Sequence, residues 1–419
     1  MRFWIGIDDT DSRKGMCTTY IASLVIKELE KAGMKTIGFP RLIRLNPTIP
    51  YKTRGNGAVS ILVDGEIGEA VEIVREIVEE YAELDDENTH PGVVFVREDL
   101  VDKLQNFSFK ALRDVVSLDE ALFIIGKYLI PHLKYKKGRG LIGALASVGL
   151  PLEDRTLELL VYRKRERFGK EREIVEESFF LADLMTYPFT WDTVDWGNNV
   201  VVAAPNSPDP VLFGIRGDSL EKILEAFRYV EAEDYDFYQI FITNQGTDMH
   251  IIDEGDVREL KEFRSYKLTG KVIEFPWEIE GGHVFFKIET TFGEVECAAF
   301  EPTKQFRKVV RKLMPGDVVE VYGSYKNATL NLEKIRVVKV ARVFIEENPI
   351  CECGKRMESA GRGKGFRCKR CKKVVNYRVL KEVERDIEEG FYEVPPSARR
   401  HLSKPLVREG FKEDFHVFR

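Results

Sequence analysis

The chain has 419 residues, 43% apolar and 32% charged, a length that predicts about three domains and a balance that excludes a disordered chain. No stretch reaches the roughly 20 apolar residues of a membrane span, and Met1–Asp8 reads as a strand rather than a signal peptide, so a cytoplasmic protein with no membrane partner is expected. The net charge of −6 is divided: residues 1–263 hold 32 Lys and Arg against 47 acids, and residues 264–419 hold 32 against 23. An acidic front suits a cationic or metal-bound ligand, and a basic back suits a polyanion.

In chain order, a strand is predicted over 2–10 and a helix over 18–33, closed by Gly33. Extended runs at 36–46 and 57–64 precede a helix at about 67–84 and a strand at 92–96. That βαββαβ order predicts an α/β sandwich of ferredoxin-like type. Helices near 98–113 and 118–131 lead to a Lys/Gly-rich joint at 136–140. A second α+β unit follows, with strands at 157–163 and 211–216, a helix at 219–231 and an apolar strand before Thr243. Strands at 267–274, 283–290 and 294–300, a basic helix at 303–313, then strands at 318–324 and 329–340 give the order of an OB-fold barrel. A charged helix is expected at 377–389, then a basic arm with Arg399, Arg400 and Lys404.

Cys351, Cys353, Cys368 and Cys371 form two thiolate pairs, the pattern of a closed structural zinc site. Around them lie Arg362, Lys364, Arg367, Lys369, Arg370, Lys372 and Lys373, with no acid in 359–381. Charges of one sign repel unless a polyanion neutralises them, so nucleic-acid contact is expected. The barrel agrees, since OB-folds stack bases on aromatics in a basic groove. Phe285, Phe286, Phe292, Tyr322 and Tyr325 are the candidates, although most aromatics of a small barrel are core.

The most chemical stretch is Ile7-Asp8-Asp9-Thr10-Asp11-Ser12. Three carboxylates at a strand end repel unless a hard cation or N–H donors compensate, and magnesium on a nucleotide phosphate is the natural compensation. A capped Asp-rich turn with solvated side chains is the alternative. Arg41, Arg44 and Lys52-Thr53-Arg54-Gly55-Asn56-Gly57 suit a triphosphate. Asp209, the Gly214–Asp218 segment and Thr243–Asp248 follow or flank apolar strands, where ligand groups and turns use the same residues. No Walker A sequence and no G-x-G-x-x-G is present, so a P-loop GTPase and a dinucleotide enzyme are unsupported.

Taken together, Gly6–Ser12, Thr53–Gly57, Gly214–Gly217 and Thr243–Asp248, in that order before a barrel and a zinc knuckle, resemble the archaeal tRNA(isoleucine) 2-agmatinylcytidine synthetase family. The resemblance implies an ATP-dependent ligase that replaces the 2-oxygen of the wobble cytidine of a CAU anticodon with agmatine, so that the tRNA reads AUA. It implies a kinase-type domain over 1–135, a ferredoxin-like agmatine-binding domain over 136–262, an OB-fold over 263–345, and a zinc ribbon with its arm over 346–419. ATP would end as AMP and phosphates, with the cytidine 2-oxygen phosphorylated. Asp8, Asp9, Asp11 and Thr18 would be catalytic, the three acids holding magnesium. Thr10, Ser12, Arg41, Arg44, Lys52, Arg54 and Asn56 would hold the nucleotide. Asp209, Arg216, Asp218, Asn244, Gln245 and Asp248 are the agmatine candidates, and the knuckle cations with Arg399 and Arg400 the RNA contacts. The isoleucine tRNA and agmatine are the expected partners, with no obligate protein partner. The rivals are a non-catalytic single-strand or tRNA-binding protein, which leaves the acidic front unexplained, and an RNA-stimulated ATPase with another substrate.

Overall fold

The run Phe3-Trp4-Ile5-Gly6-Ile7 is apolar at consecutive positions, which requires cover on both faces of its strand. In the computed structural model, which describes residues 1–53, 55–410 and 415–416, strand Arg2–Asp8 lies between Gly57–Asp64 and Gly92–Arg97, antiparallel to both. Arg41–Arg44 pairs with the far side of Gly57–Asp64. Counting these four in chain order, the spatial order is fourth, first, third, second, the ferredoxin-like arrangement. Helices Thr18–Lys31 and Ile67–Tyr81 cover one face. The other face, which includes Trp4, Ala58, Val94 and Val96, is covered by Gln105–Arg113, Leu118–Lys127 and Gly140–Gly149. The first lobe therefore has three layers, where the strand and helix order predicts two.

Helix Gly140–Gly149 sits unusually close to the sheet. A Cβ on Gly6 would lie 2.2 Å from the Ala144 carbonyl oxygen, and one on Gly92 would lie 2.0 Å from Leu141 N. Glycines on both surfaces permit this approach, which brings the helix N-terminus to the end of the first strand.

The second lobe repeats the order. Strands Thr156–Arg163, Thr190–Trp191, Val211–Gly217 and Tyr235–Thr243 stand fourth, first, third, second, with helices Glu176–Thr186 and Leu220–Tyr229 on one face. Arg41–Arg44 then pairs parallel with Tyr235–Thr243, Ile242 opposite Arg41 and Thr243 opposite Leu42, so both lobes share one ten-stranded sheet. Helix Thr18–Lys31 serves both lobes, since Tyr20 meets Tyr162 edge-on at 5.4 Å.

Strands Arg264–Val272, His283–Thr290, Gly293–Ala299, Val318–Lys326 and Thr329–Lys339 close into a barrel. The first pairs with the fourth, and the third runs parallel to the fifth. Helix Phe306–Arg311 sits between the third and fourth, as the OB-fold order requires.

The expected charged helix at 377–389 is not formed. Val379–Val383 pairs antiparallel with Val343–Glu347, and the charges meet across strands, Arg378 with Glu346 at 2.9 Å and Arg342 with Glu382 at 2.6 Å. The expected basic arm is not free either. Gly390–Glu393 joins the barrel edge at Thr329–Lys339, and residues 399–408 thread between barrel and lobes. Arg399 is buried between Asp192, at 3.0 Å, and Glu393. Arg400 pairs with Glu333 at 3.2 Å, and Arg408 with Asp154 and Asp218, both at 2.8 Å. Arg399 is thus consumed within the protein rather than offered to RNA, and Arg400 is held by the barrel.

Candidate active site

Strand Arg2–Asp8 delivers its acids to the N-terminal end of helix Gly140–Gly149. The Asp8 carboxylate faces that helix: a Cβ on Gly143 would lie 1.9 Å from Asp8 Oδ2. Burial, reinforced by Asp9 and Asp11, pushes the Asp8 carboxyl well above its usual range. Asp9 adopts a left-handed φ of 60°. Burial raises its carboxyl to about 6, even though Arg139 pairs with it at 3.3 Å and the His90 N–H donates to it at 3.3 Å.

These acids border a cavity of about 720 Å³ with Asp11, Lys52, Asn56, Arg139 and Gly143. Leu45, Ile49, Tyr51, Val115 and Val116 make its apolar wall. An apolar wall beside a cationic rim and a helix N-terminus suits a ring attached to phosphates. Behind the acids, Thr10 is buried with its hydroxyl 2.9 Å from that of Thr18.

A second cavity, of about 1,100 Å³, lies between the lobes. Asp11, Gly55 and Gly57 line both cavities, so the two adjoin. Its walls carry Cys17, Thr18, Thr19 and Arg44 from the first lobe, Glu158, Asp192, Asp209 and Arg216 from the second, and His401 from the threaded segment. Arg216 Nε donates to Glu158 at 2.8 Å, and Gln245 donates to the other oxygen at 2.5 Å. Burial alone would raise the Glu158 carboxyl, but Arg216 and Arg44 hold it below its usual range. Asp209 accepts from Arg172 at 3.0 Å and from the Ser207 hydroxyl.

The expected residues divide by location. Asp8, Asp9, Asp11, Lys52 and Asn56 border the first cavity, and Asp11, Thr18, Arg44, Asp209 and Arg216 the second. Asn244 and Gln245 stand behind the wall. Asn244 exchanges hydrogen bonds of 2.8 and 2.9 Å with the Arg44 backbone, and Gln245 accepts from Arg44 Nε at 3.2 Å. Asp218 is taken by Trp191 and Arg408, and Asp248 by Lys334 at 2.5 Å and the Lys404 N–H at 2.7 Å. Both fasten the C-terminal segment instead of lining a cavity. Arg41 packs over Trp4 at 4.1 Å, and Ser12 caps its own turn by accepting from Lys14 N at 3.0 Å. Arg54 lies outside the described residues. Arg139, Gly143, Glu158, Asp192 and His401 line the cavities without having been legible. Arg139 and His401 come from a joint and an arm that the sequence marks only as basic, and the others from segments that carry no motif.

In the ribbon, the four cysteine Sγ atoms lie within 4.8 Å of one another. A tetrahedral zinc with Zn–S bonds of about 2.3 Å has edges of about 3.8 Å, so the donor set fits zinc. Among the described residues this is the only group of three or more such ligands that close together. Lys369 and Lys373 are paired with Glu358 and Glu352. Arg362, Lys364, Arg367, Arg370 and Lys372 are exposed and form no ion pair among the described residues. On the barrel, Phe286 is core and Phe292 and Tyr325 pack against that core, whereas Phe285 stacks on Trp277 at 5.9 Å and 17°.

Four families match in sequence along the chain: "TiaS TCKD domain" over residues 4–137, "TiaS FLD domain" over 138–250, "OB-fold nucleic acid binding domain" over 266–337, and "TiaS C-terminal zinc ribbon domain" over 348–387. The isoleucine-tRNA 2-agmatinylcytidine synthetase TiaS of Archaeoglobus fulgidus is 61% identical over 421 aligned residues, covering 100% of both chains. A solved complex of TiaS with its isoleucine tRNA and ATP superposes with a TM-score of 0.95 at 60% identity, and a complex of TiaS with the same tRNA, AMPCPP and agmatine with 0.93 at 58%. Both cover 100% of each chain.

Proposed function

Because the chain belongs to the isoleucine-tRNA 2-agmatinylcytidine synthetase family, we propose that it uses ATP to join agmatine to carbon 2 of the wobble cytidine of the CAU-anticodon isoleucine tRNA. The observation that carries this reading is the pair of adjoining cavities that share Asp11, Gly55 and Gly57. One has the walls of a nucleotide site. The other carries both acids and the guanidinium groups of Arg44 and Arg216, as a site where a dication meets a phosphoryl group needs, and no purely RNA-binding role needs either.

Lys52, Asn56, Arg139 and the N-terminal turn of helix Gly140–Gly149 hold the triphosphate. The oxygens of Asp8, Asp9 and Asp11 do not form a gathered three-ligand site by themselves, but they are the hard donors magnesium takes and would hold it together with phosphate oxygens. When bound it would neutralise charge on the transferring phosphoryl group. Phosphorylation of the cytidine 2-oxygen makes carbon 2 electrophilic. The primary amine of agmatine attacks that carbon, and phosphate departs with the former carbonyl oxygen. The amine loses a proton as it attacks, and a cavity carboxylate or a phosphate oxygen receives it. Glu158, Asp192 and Asp209 line the second cavity with their partners Arg216, Arg399 and Arg172, and a guanidinium substrate would share these carboxylates, planar carboxylate pairing being its strongest match. Barrel and ribbon grip the anticodon arm through the exposed knuckle cations and the Trp277–Phe285 stack.

Mass spectrometry of a CAU-anticodon isoleucine tRNA incubated with enzyme, ATP and agmatine tests the reading. A mass gain of agmatine less one water on the wobble nucleoside is expected, and no ATP-dependent gain would overturn it.

A further inference from the structure

One side chain in the second cavity has no part in the steps above. His401 reaches it from the threaded segment, outside both lobes, and is held there by backbone. Its carbonyl accepts from Gly246 N at 2.7 Å, that of Leu402 accepts from Asp248 N at 2.9 Å, and Arg399 anchors the segment upstream. His401 Nδ1 lies 3.0 Å from Arg216 Nη2. A guanidinium only donates, so Nδ1 accepts and the proton of the neutral ring is on Nε2. Arg44, burial and Arg216 keep the ring neutral by pushing its pKa well below the usual value.

Nε2 has no hydrogen-bond partner among the described residues and faces the loop common to both cavities: a Cβ on Gly55 would lie 3.4 Å from it. Arg44 and Arg216 bring two guanidinium groups to the same wall and share the Glu158 carboxylate. Thr18, Thr19 and Asp11 line the same cavity. An N–H donor without a partner among the described residues, beside two guanidinium groups that share one carboxylate, suits an anion with several acceptor oxygens, which an ATP-using site supplies as a phosphoryl group.

We infer that His401 contacts substrate, its Nε2–H donating to a phosphoryl oxygen whose charge Arg44 and Arg216 neutralise beside Thr18. The inference rests on the ATP-dependent reading above and adds a residue delivered by the C-terminal segment. A third cation at this position would repel the two arginines, whereas a neutral donor does not.

The test compares wild type, His401→Ala and His401→Gln in steady-state conjugation with the tRNA, ATP and agmatine, with melting temperatures of all three. His401→Ala is expected to lower kcat by about 10- to 100-fold without raising the KM for agmatine and without lowering the melting temperature. His401→Gln, whose amide places a donor near the lost Nε2, is expected to recover most of the rate. Equal losses in both variants, a loss confined to the agmatine KM, or a loss that follows a lowered melting temperature would overturn the inference. Wild type that cleaves ATP without attaching agmatine would instead overturn the functional reading. His401 would then stand or fall on the same comparison of ATP cleavage rates.

Discussion

Arg399→Met tests how the C-terminal segment is held. Arg399 is 3% exposed, its partners Asp192 and Glu393 5% and 1%. At the 3.0 Å separation from Asp192 and an effective dielectric of about 20, the attraction is about 5 kcal/mol, much of it offset by the cost of taking both charges out of water. The pair is therefore worth little in net terms, but losing one partner is expensive. Arg399→Met leaves two buried carboxylates facing each other, for an expected loss of about 3–5 kcal/mol. The triple variant Arg399→Met, Asp192→Asn, Glu393→Gln removes the unpaired charges and should recover most of the stability. Urea unfolding of the three proteins measures both effects. Arg399→Met as stable as wild type, or a triple variant no better than the single, would refute the reasoning and return Arg399 to the pool of RNA contacts.

The remaining expectations concern the barrel, the acid tip and the ribbon. Glu333 is buried, yet His250, at 3.1 Å, and Arg400 hold its carboxyl down at about 2. Its stabilisation of about 3 kcal/mol should be complete above the unfolded value of 4.5 and fade as pH falls toward 2; Glu333→Gln should flatten acid-unfolding curves over that range. Gly143→Ala, whose methyl meets Asp8 Oδ2 at 1.9 Å, should displace the carboxylate and abolish ATP-dependent conjugation while sparing tRNA affinity in a filter-binding assay. Cys368→Ser should lower the zinc content measured by mass spectrometry and melt the ribbon, while far-UV circular dichroism of the remainder changes little. Replacing Arg362, Lys364, Arg367 and Arg370 by Gln should weaken tRNA binding and make the slope of log affinity against log salt shallower by about 3–4.

The sequence made legible whatever depends on local pattern. Alternation and turns marked the barrel, thiol spacing marked the ribbon, and an apolar strand ending in three acids marked the site. Segments whose structure is set by distant partners were not legible. Gly140–Gly149 reads as a weak helix former because of its glycines at 140, 143 and 149, and only its fit against Gly6 and Gly92 makes it a helix on the sheet. Residues 377–389 carry charges at spacings that suit a helix, and the strand partners on Val343–Glu347 lie 32 to 40 residues away in sequence. The acids of the second lobe were expected to hold the cationic substrate. Local sequence could not tell Asp209, on the cavity wall, from Asp218 and Asp248, which are occupied by Arg408 and Lys334.

The threaded segment also has a consequence for biosynthesis. Residues 399–408 leave the ribosome after the two lobes, the barrel and the ribbon. They are nevertheless pinned to the second lobe by Asp154, Asp192, Asp218 and Gly246, and to the barrel by Glu333. A nascent chain can complete each domain and still lack the imidazole in its inter-lobe cavity. Proteolytic nicking just before this segment would remove the imidazole together with the arginine partner of buried Asp192 and Glu393, leaving both an incomplete cleft and unpaired acids.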